Sequence, residues 1–299
     1  MDILFGPVPS RRYGQSLGID LVPMKTCCYD CLFCQLGPTP KTTLERRDYV
    51  PLSNVFEALT TWLSKGYPVD MFTLCGSGEP TLHAHFGEVL RWIAHNTDKP
   101  SLLMSNGALF DDPMVRSDAM LASRTKISLH FWDEESFQQT VRPHPGLHFE
   151  AIYKGWQIFR EAYQGMLDVE FFAMPGFNTA PAQLDKIYAL LEALRPDTIT
   201  VNTAERPPAE ACVKALPPDE LKALRCRFAT LAAERTTPHP STALAYSEAE
   251  LLALARRHPL TPEQFATYFG QPVDVIRDAL QRHAATDPFA ARALAYRQV

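Results

Sequence analysis

"KTCCYDCLFCQLG", residues 25–37, places four cysteines, Cys27, Cys28, Cys31 and Cys34, inside eight positions. Two registers can be read from it. Cys28, Cys31 and Cys34 give C-x2-C-x2-C, the opening of a bacterial ferredoxin run, but that run needs a fourth cysteine with its proline just downstream, and "QLGPTP" supplies only the proline. Cys27, Cys31 and Cys34 give C-x3-C-x2-C, with the aromatic Phe33 directly before the last cysteine. Three thiolates on one short loop hold three irons of a 4Fe-4S cluster and leave the fourth iron open, which is where a substrate or cofactor binds. Zinc would want a second cysteine pair or a histidine pair, and Cys75, Cys212 and Cys226 stand isolated. Cys28 is then redundant, a packed thiol beside the cluster, with a slip of register as the alternative.

Outward from this loop, short β-rich runs alternate with amphipathic helical patterns, the signature of repeated βα units and a parallel sheet. The runs are "SLGIDLV" (16–22), "MFTLCG" (71–76), "SLLMSN" (101–106), "TKISLHF" (125–131), "LDVEFFAM" (167–174) and "DTITVN" (197–202). Between them, stretches such as "LSNVFEALTTWLSKG" and "TAPAQLDKIYALLEAL" repeat apolar residues at three and four positions. Three of the strands carry a polar stripe at period two: Lys126, Ser128 and His130; Asp168 and Glu170; Thr198, Thr200 and Asn202. One face of the sheet therefore packs on helices, and the other borders a polar lumen.

The chain has 299 residues and is 46% hydrophobic, enough for a barrel-sized domain with a smaller module. No apolar run approaches the ~20 residues that span a bilayer, and "MDILFGPVPSRRYGQ" lacks the pattern of a secretory signal, so no membrane is expected and the cytoplasm is. A net charge of -5 argues against a broadly basic nucleic-acid face; Arg11 with Arg12, and Lys41 with Arg46 and Arg47, read as solvated surface. After Asn202 a proline-rich connector leads to a helix and then to "TTPHPSTALAYSEAE", which reads as a linker. The organisation expected is a barrel over 1–235 and a linker with a helical module over 236–299.

That module shows three helical patterns, with Thr261 as an N-cap before Pro262 and Gly270 closing the second. The spacing is similar to a helix-turn-helix or winged-helix unit. From Ser241 onward, however, six Arg balance six Asp plus Glu, and the would-be recognition helix carries Asp274 and Asp278. A DNA-reading helix should be basic, so packing or protein contact is the expected role.

The cysteine loop after the first of these strands resembles the radical S-adenosylmethionine (SAM) superfamily, marked by C-x3-C-x-aromatic-C. A GGE-type motif after the second strand has its counterpart in "GSGEPTLH", Gly76 to His83. "FGPVPSRRYGQSLGIDLVP", "SNG" at 105–107, "RPHPG" at 142–146 and "ERPPAE" at 205–210 are similar to the wyosine-biosynthesis-like iron-sulfur oxidoreductase branch of that superfamily.

The resemblance implies a partial (β/α)6 barrel and a 4Fe-4S cluster on Cys27, Cys31 and Cys34. It also implies an enzyme that reductively cleaves SAM to a 5'-deoxyadenosyl radical, which takes a hydrogen atom from substrate. Phe33, Gly76, Ser77, Gly78 and Glu79 carry over to SAM binding, and Ser105, Asn106, Ser128, Glu170 and Asn202, at or near strand ends, are candidates for its ribose or carboxylate. His130, Arg142, His144, Arg206 and Glu210 are candidates for the substrate side, the last four weighed equally as turns or salt bridges. His130 stands in "SLHFW", where members of the branch it resembles often carry Ser-Leu-Asp.

The cysteine trio that would hold an extra N-terminal cluster is absent, so one cluster is expected and authentic wyosine chemistry on tRNA is disfavoured. Substrates to weigh are a small molecule, a peptide or RNA, with flavodoxin or ferredoxin as electron donor. The alternative from another class is a non-catalytic iron-sulfur sensor acting through the C-terminal module.

Overall fold

The computed structural model describes residues 3–10, 12–233, 247–257 and 260–295. Arg11, the 235/236 boundary and the linker residues 236–246 lie outside the described residues. One seven-stranded sheet runs in chain order: β1 (Leu4–Ser10), β2 (Gly14–Ile19), β3 (Met71–Leu74), β4 (Ser101–Met104), β5 (Arg124–Ser128), β6 (Met166–Phe172) and β7 (Thr198–Asn202). β2 to β7 pair in parallel, and β1 folds back antiparallel on β2. This is a mixed α/β half-barrel, as the six parallel runs required. The six expected strands fall within three residues of their read limits, but β1 carried no alternation that marked it, and its two prolines left no readable pattern.

Register explains the stripes. Lys126 lies beside Asp168, Ser128 beside Glu170, and Glu170 beside Thr200, so the polar residues of neighbouring strands share the concave face. Leu17, Ile19, Phe72, Leu74, Leu103, Ile127, Val169, Phe171 and Ile199 occupy the alternate positions and are buried against the helical layer.

That layer follows the βα rhythm: α1 (Leu52–Ser64), α2 (Phe86–Asn96), α3 (Pro113–Ala119), α4 (Glu134–Val141), α5 (Phe149–Ala162), α6 (Pro181–Leu194) and α7 (Pro218–Ala229). Val55, Leu59 and Trp62 of α1, and Ile152, Trp156 and Phe159 of α5, recur at helical spacing and are buried, which is why these segments lie flat on the sheet. Asp112 and Asp133 cap α3 and α4 by accepting backbone N–H groups of Met114 and Ser136.

The C-terminal module consists of α8 (Glu248–Arg257), α9 (Pro262–Phe269), α10 (Val273–His283) and α11 (Pro288–Ala295). Thr261 caps α9 through a reciprocal pair with Gln264, and Gly270 ends it at φ 61°. The fourth helix, α11, was not read from the sequence, and the described residues of the module include no strand. No helix among the described residues is long and apolar enough to cross a membrane.

Candidate active site at the cysteine loop

The loop between β2 and α1 carries the cysteines across the C-terminal ends of the parallel strands, where loops alone can gather residues from many strands. It is welded to the β3 loop by two backbone bonds: Lys25 N–H to the Ser77 carbonyl at 2.7 Å, and Glu79 N–H to the Thr26 carbonyl at 2.9 Å. Gly78 makes this approach feasible, since a Cβ there would sit 1.9 Å from the Thr26 oxygen.

On the other side Asp30 and Leu32 donate to the Val141 and Thr140 carbonyls, His144 N–H donates to the Cys28 carbonyl at 2.8 Å, and Glu210 N–H donates to Leu32. Arg142, at φ 41°, ion-pairs with both Asp30 and Glu210 at 2.8 Å. Arg206 donates to the Gln35 side chain at 2.5 Å. The proline-fixed loops thus clamp the cysteine loop, and Arg142 with Glu210 form a salt bridge across it. His144 accepts the Gly146 N–H through Nδ1, which closes its own turn.

Glu79 is the hub of the site. It is 2% exposed and accepts from Thr81 N–H and Oγ, Ser105 Oγ and Asn106 N–H at 2.7 to 3.1 Å. Burial raises its pKa, and those donors oppose the rise. Ser105 therefore serves Glu79, and what the turn offers a ligand is backbone. Asn106 points its Nδ2 at Cys28 Sγ (3.3 Å) and Cys27 Sγ (3.6 Å).

Cys27, Cys31 and Cys34 are half-buried, whereas Cys28 is fully buried within the main apolar core. Burial and then the neighbouring Cys34 and Cys27 push the Cys31 thiol up; burial does the same to Cys28. Lys25, a residue the sequence reading passed over, adds an N–H to Cys34 Sγ at 3.2 Å and another to the Gly37 carbonyl at 2.6 Å. Among the described residues no three His, Cys, Asp or Glu side chains converge as they would around one ion. The loop carries three half-buried thiols, Cys27, Cys31 and Cys34, a donor set that suits a cluster whose irons each take one.

Below the loop Phe33 stacks on Phe172 (centroids 4.6 Å apart) and meets His130 edge-on at 4.6 Å. His130 is 2% exposed, and its Nδ1 accepts the Phe172 N–H at 2.9 Å. Burial lowers its pKa to about 4, so it is a neutral imidazole at neutral pH. Half-buried Ser128 shares this level of the lumen with an ion pair between Lys126 and Glu170, in which Glu170 also accepts from Asn202 at 3.0 Å. Against the burial that would raise it, the Lys126 charge draws Glu170 down to about 2. Arg12 donates to the Asn202 oxygen at 3.4 Å. A cavity of about 170 Å³ lies beside Arg12, lined in part by Arg12, Ser16, Thr73, Cys75, Met104 and Arg206. Cys75 is pushed up to about 12 by burial and then by Asp20, so it stands as a neutral thiol.

No family model matches the chain. Its fold aligns with a TYW1 structure bearing a lysine-pyruvate adduct (TM-score 0.56, 18% identity, 76% of each chain). It also aligns with a radical SAM methyltransferase from Sphaerobacter thermophilus (0.51, 15%, 75% of this chain and 66% of that one), and with Streptococcus suis SuiB bound to S-adenosylmethionine (0.55, 14%, 79% and 54%). The fold is therefore the partial barrel of radical SAM enzymes.

In sequence the chain is 33% identical over 216 residues to a UPF0026 protein of Methanocaldococcus jannaschii (72% of this chain, 67% of the relative) and 32% identical over 282 residues to one of Helicobacter pylori strain J99 (88% and 87%). The chain belongs to the UPF0026 family. It also matches a Brachyspira hyodysenteriae protein named GTPase Obg at 29% identity over 285 residues, spanning 42% of that protein's length.

Proposed function

We propose that the protein is a radical SAM enzyme holding one 4Fe-4S cluster on Cys27, Cys31 and Cys34. The observation that carries the reading is the pair of backbone bonds locking the cysteine loop to the Gly76–Glu79 turn at the mouth of a polar lumen. A 4Fe-4S cluster held by Cys27, Cys31 and Cys34 would supply the electron for reductive cleavage of bound SAM to a 5'-deoxyadenosyl radical, which would take a hydrogen atom from substrate. The residues around it hold and shield. Lys25 and Asn106 direct N–H groups at the thiolate ligands, which tunes a cluster's potential. Glu79 fixes the turn whose backbone faces the loop and so presents carbonyls to a methionine amino group. Phe33, Phe172 and His130 form an apolar wall that keeps water and stray hydrogen donors from a radical.

Lys126, Glu170, Asn202 and Ser128 offer polar contacts to a ribose, a carboxylate or a substrate in the lumen. Reduction would come from a flavodoxin or ferredoxin. Within this reading the substrate is a small molecule, a peptide or RNA, including a wyosine-like tRNA modification. tRNA binding whose affinity falls steeply with salt would select RNA.

The test is anaerobic reconstitution followed by dithionite reduction, with EPR recorded with and without SAM and 5'-deoxyadenosine assayed, using Cys31→Ala as the control. The expected result is a SAM-perturbed spectrum and deoxyadenosine formation, with formation abolished in the variant. A cluster indifferent to SAM sinks this reading and leaves the iron-sulfur sensor in its place.

A further inference from the structure

We propose that Arg257, at the end of α8, is a positioning residue for the SAM-binding turn, so that the C-terminal module forms part of the ligand site; the inference rests on the radical SAM reading above. Arg257 Nε donates to Asp20 Oδ2 at 2.7 Å across 237 residues of sequence. Both partners are interior, with side chains 6% and 1% exposed. Asp20 follows β2 and presses against the turn that follows β3. It accepts Ser77 N–H at 3.1 Å and Ser77 Oγ–H at 2.5 Å. Gly76 is held at φ 145°, and a Cβ there would meet the Asp20 carboxyl carbon at 2.5 Å. Asp20 is thus the backing against which Gly76 and Ser77 are set, and Ser77 in turn offers its carbonyl to Lys25 at the start of the cysteine loop.

A carboxylate buried this deeply is costly to the fold unless a cation lies beside it. Removing the cation leaves the acceptor that fixes Ser77 uncompensated, and the backbone of the turn shifts with it. The cation comes from the module, and it is itself held in place. Arg257 lies 5.4 Å over the Phe5 ring and donates to the Ala253 carbonyl. Phe5, on β1, belongs to the apolar cluster of Leu251, Leu254, Phe265 and Ile276.

The module grips the other side of the site as well. Arg292 of α11 donates to the Pro207 and Pro208 carbonyls at 2.8 Å and packs against Gly37, whose own carbonyl anchors Lys25. Two arginines of one module therefore brace the turn and the far end of the cysteine loop.

The test compares the full chain with R257Q, R257K and the charge-neutral pair D20N/R257Q. Each is reconstituted without oxygen and examined for iron and sulfide content, thermal midpoint, and SAM affinity by EPR titration of the reduced cluster. R257Q should retain its iron yet bind SAM about tenfold or more weakly, the usual scale for loss of an outer-shell partner. R257K should recover part of that affinity. D20N/R257Q should melt near the wild type and still bind weakly, because charge balance is restored but the backing is not.

A purely structural role predicts a lower midpoint with unchanged affinity in the folded, cluster-loaded fraction. That result overturns the proposal. If R257Q does not fold, the neutral pair decides by the same two outcomes. A wild-type cluster that ignores SAM instead removes the functional reading, and this inference with it, before any variant is compared.

Discussion

The two ends of the lumen are built from the same sequence pattern and do different things. At the floor Asp168, 1% exposed, accepts from Arg124 Nε and Nη2 at 3.0 and 2.7 Å, Thr198 Oγ at 2.5 Å and Tyr13 OH at 3.2 Å. Every partner is tied, and burial together with the Asp168 charge drives the Tyr13 pKa upward, which keeps that hydroxyl a donor. At the mouth, Glu170, two residues further along β6, and Asn202 of β7 are half-buried, and Arg12, which donates to Asn202, lines a neighbouring cavity. A polar stripe whose groups all satisfy one another is structure. Where the same stripe is only half-buried, at Ser128, Glu170 and Asn202, is where the proposed site lies.

The largest effects should come from exchanging one residue at each end. Asp168→Ala strands the Arg124 guanidinium and two hydroxyls and should cost about 3 kcal/mol or more in urea unfolding, while the folded fraction binds SAM normally. Asn202→Ala should change stability by about 1 kcal/mol or less and slow SAM cleavage about tenfold. If Asp168→Ala unfolds at wild-type urea concentrations but loses turnover, the two ends have been assigned backwards.

A middle-sized effect lies in acid. His130 has an ordinary pKa of 6.5 and a folded value near 4, so the unfolded chain binds its proton first. The stability this contributes is present above pH 6.5 and is lost as pH falls toward 4, on the order of 3 kcal/mol in full. Glu170, with a folded value near 2, loses its contribution only below its ordinary 4.5. His130→Asn should therefore narrow the gap between unfolding free energies at pH 7 and pH 4.5. An unchanged gap would place the acid sensitivity elsewhere.

The smallest effect sharpens the floor alone. Thr198→Val removes one of four donors to Asp168 and should cost about 1 kcal/mol by thermal melting, with SAM cleavage unaltered. A drop in turnover from this change would mean that the floor communicates with the mouth.

What local chemistry specifies was legible in the chain before any coordinates. The six parallel strands announced themselves because apolar residues at period two must bury one face. The Thr261 cap and the Gly270 stop of α9 depend on backbone groups within three residues. The cysteine loop was readable because its cysteines share one short segment.

Contacts between distant segments were decided only by the tertiary structure. β1 pairs at the sheet edge through backbone bonds that carry no side-chain signature. Glu79, a candidate in the SAM-binding turn, takes its carboxylate partners from Ser105 and Asn106, 26 and 27 residues away. Arg142, left open between turn and substrate, pairs with Asp30 and Glu210 once the chain folds. Asp20 and Arg257 meet across 237 residues. An amino-acid pattern fixes which groups must be buried or capped nearby, whereas the partner of a buried charge is chosen by packing.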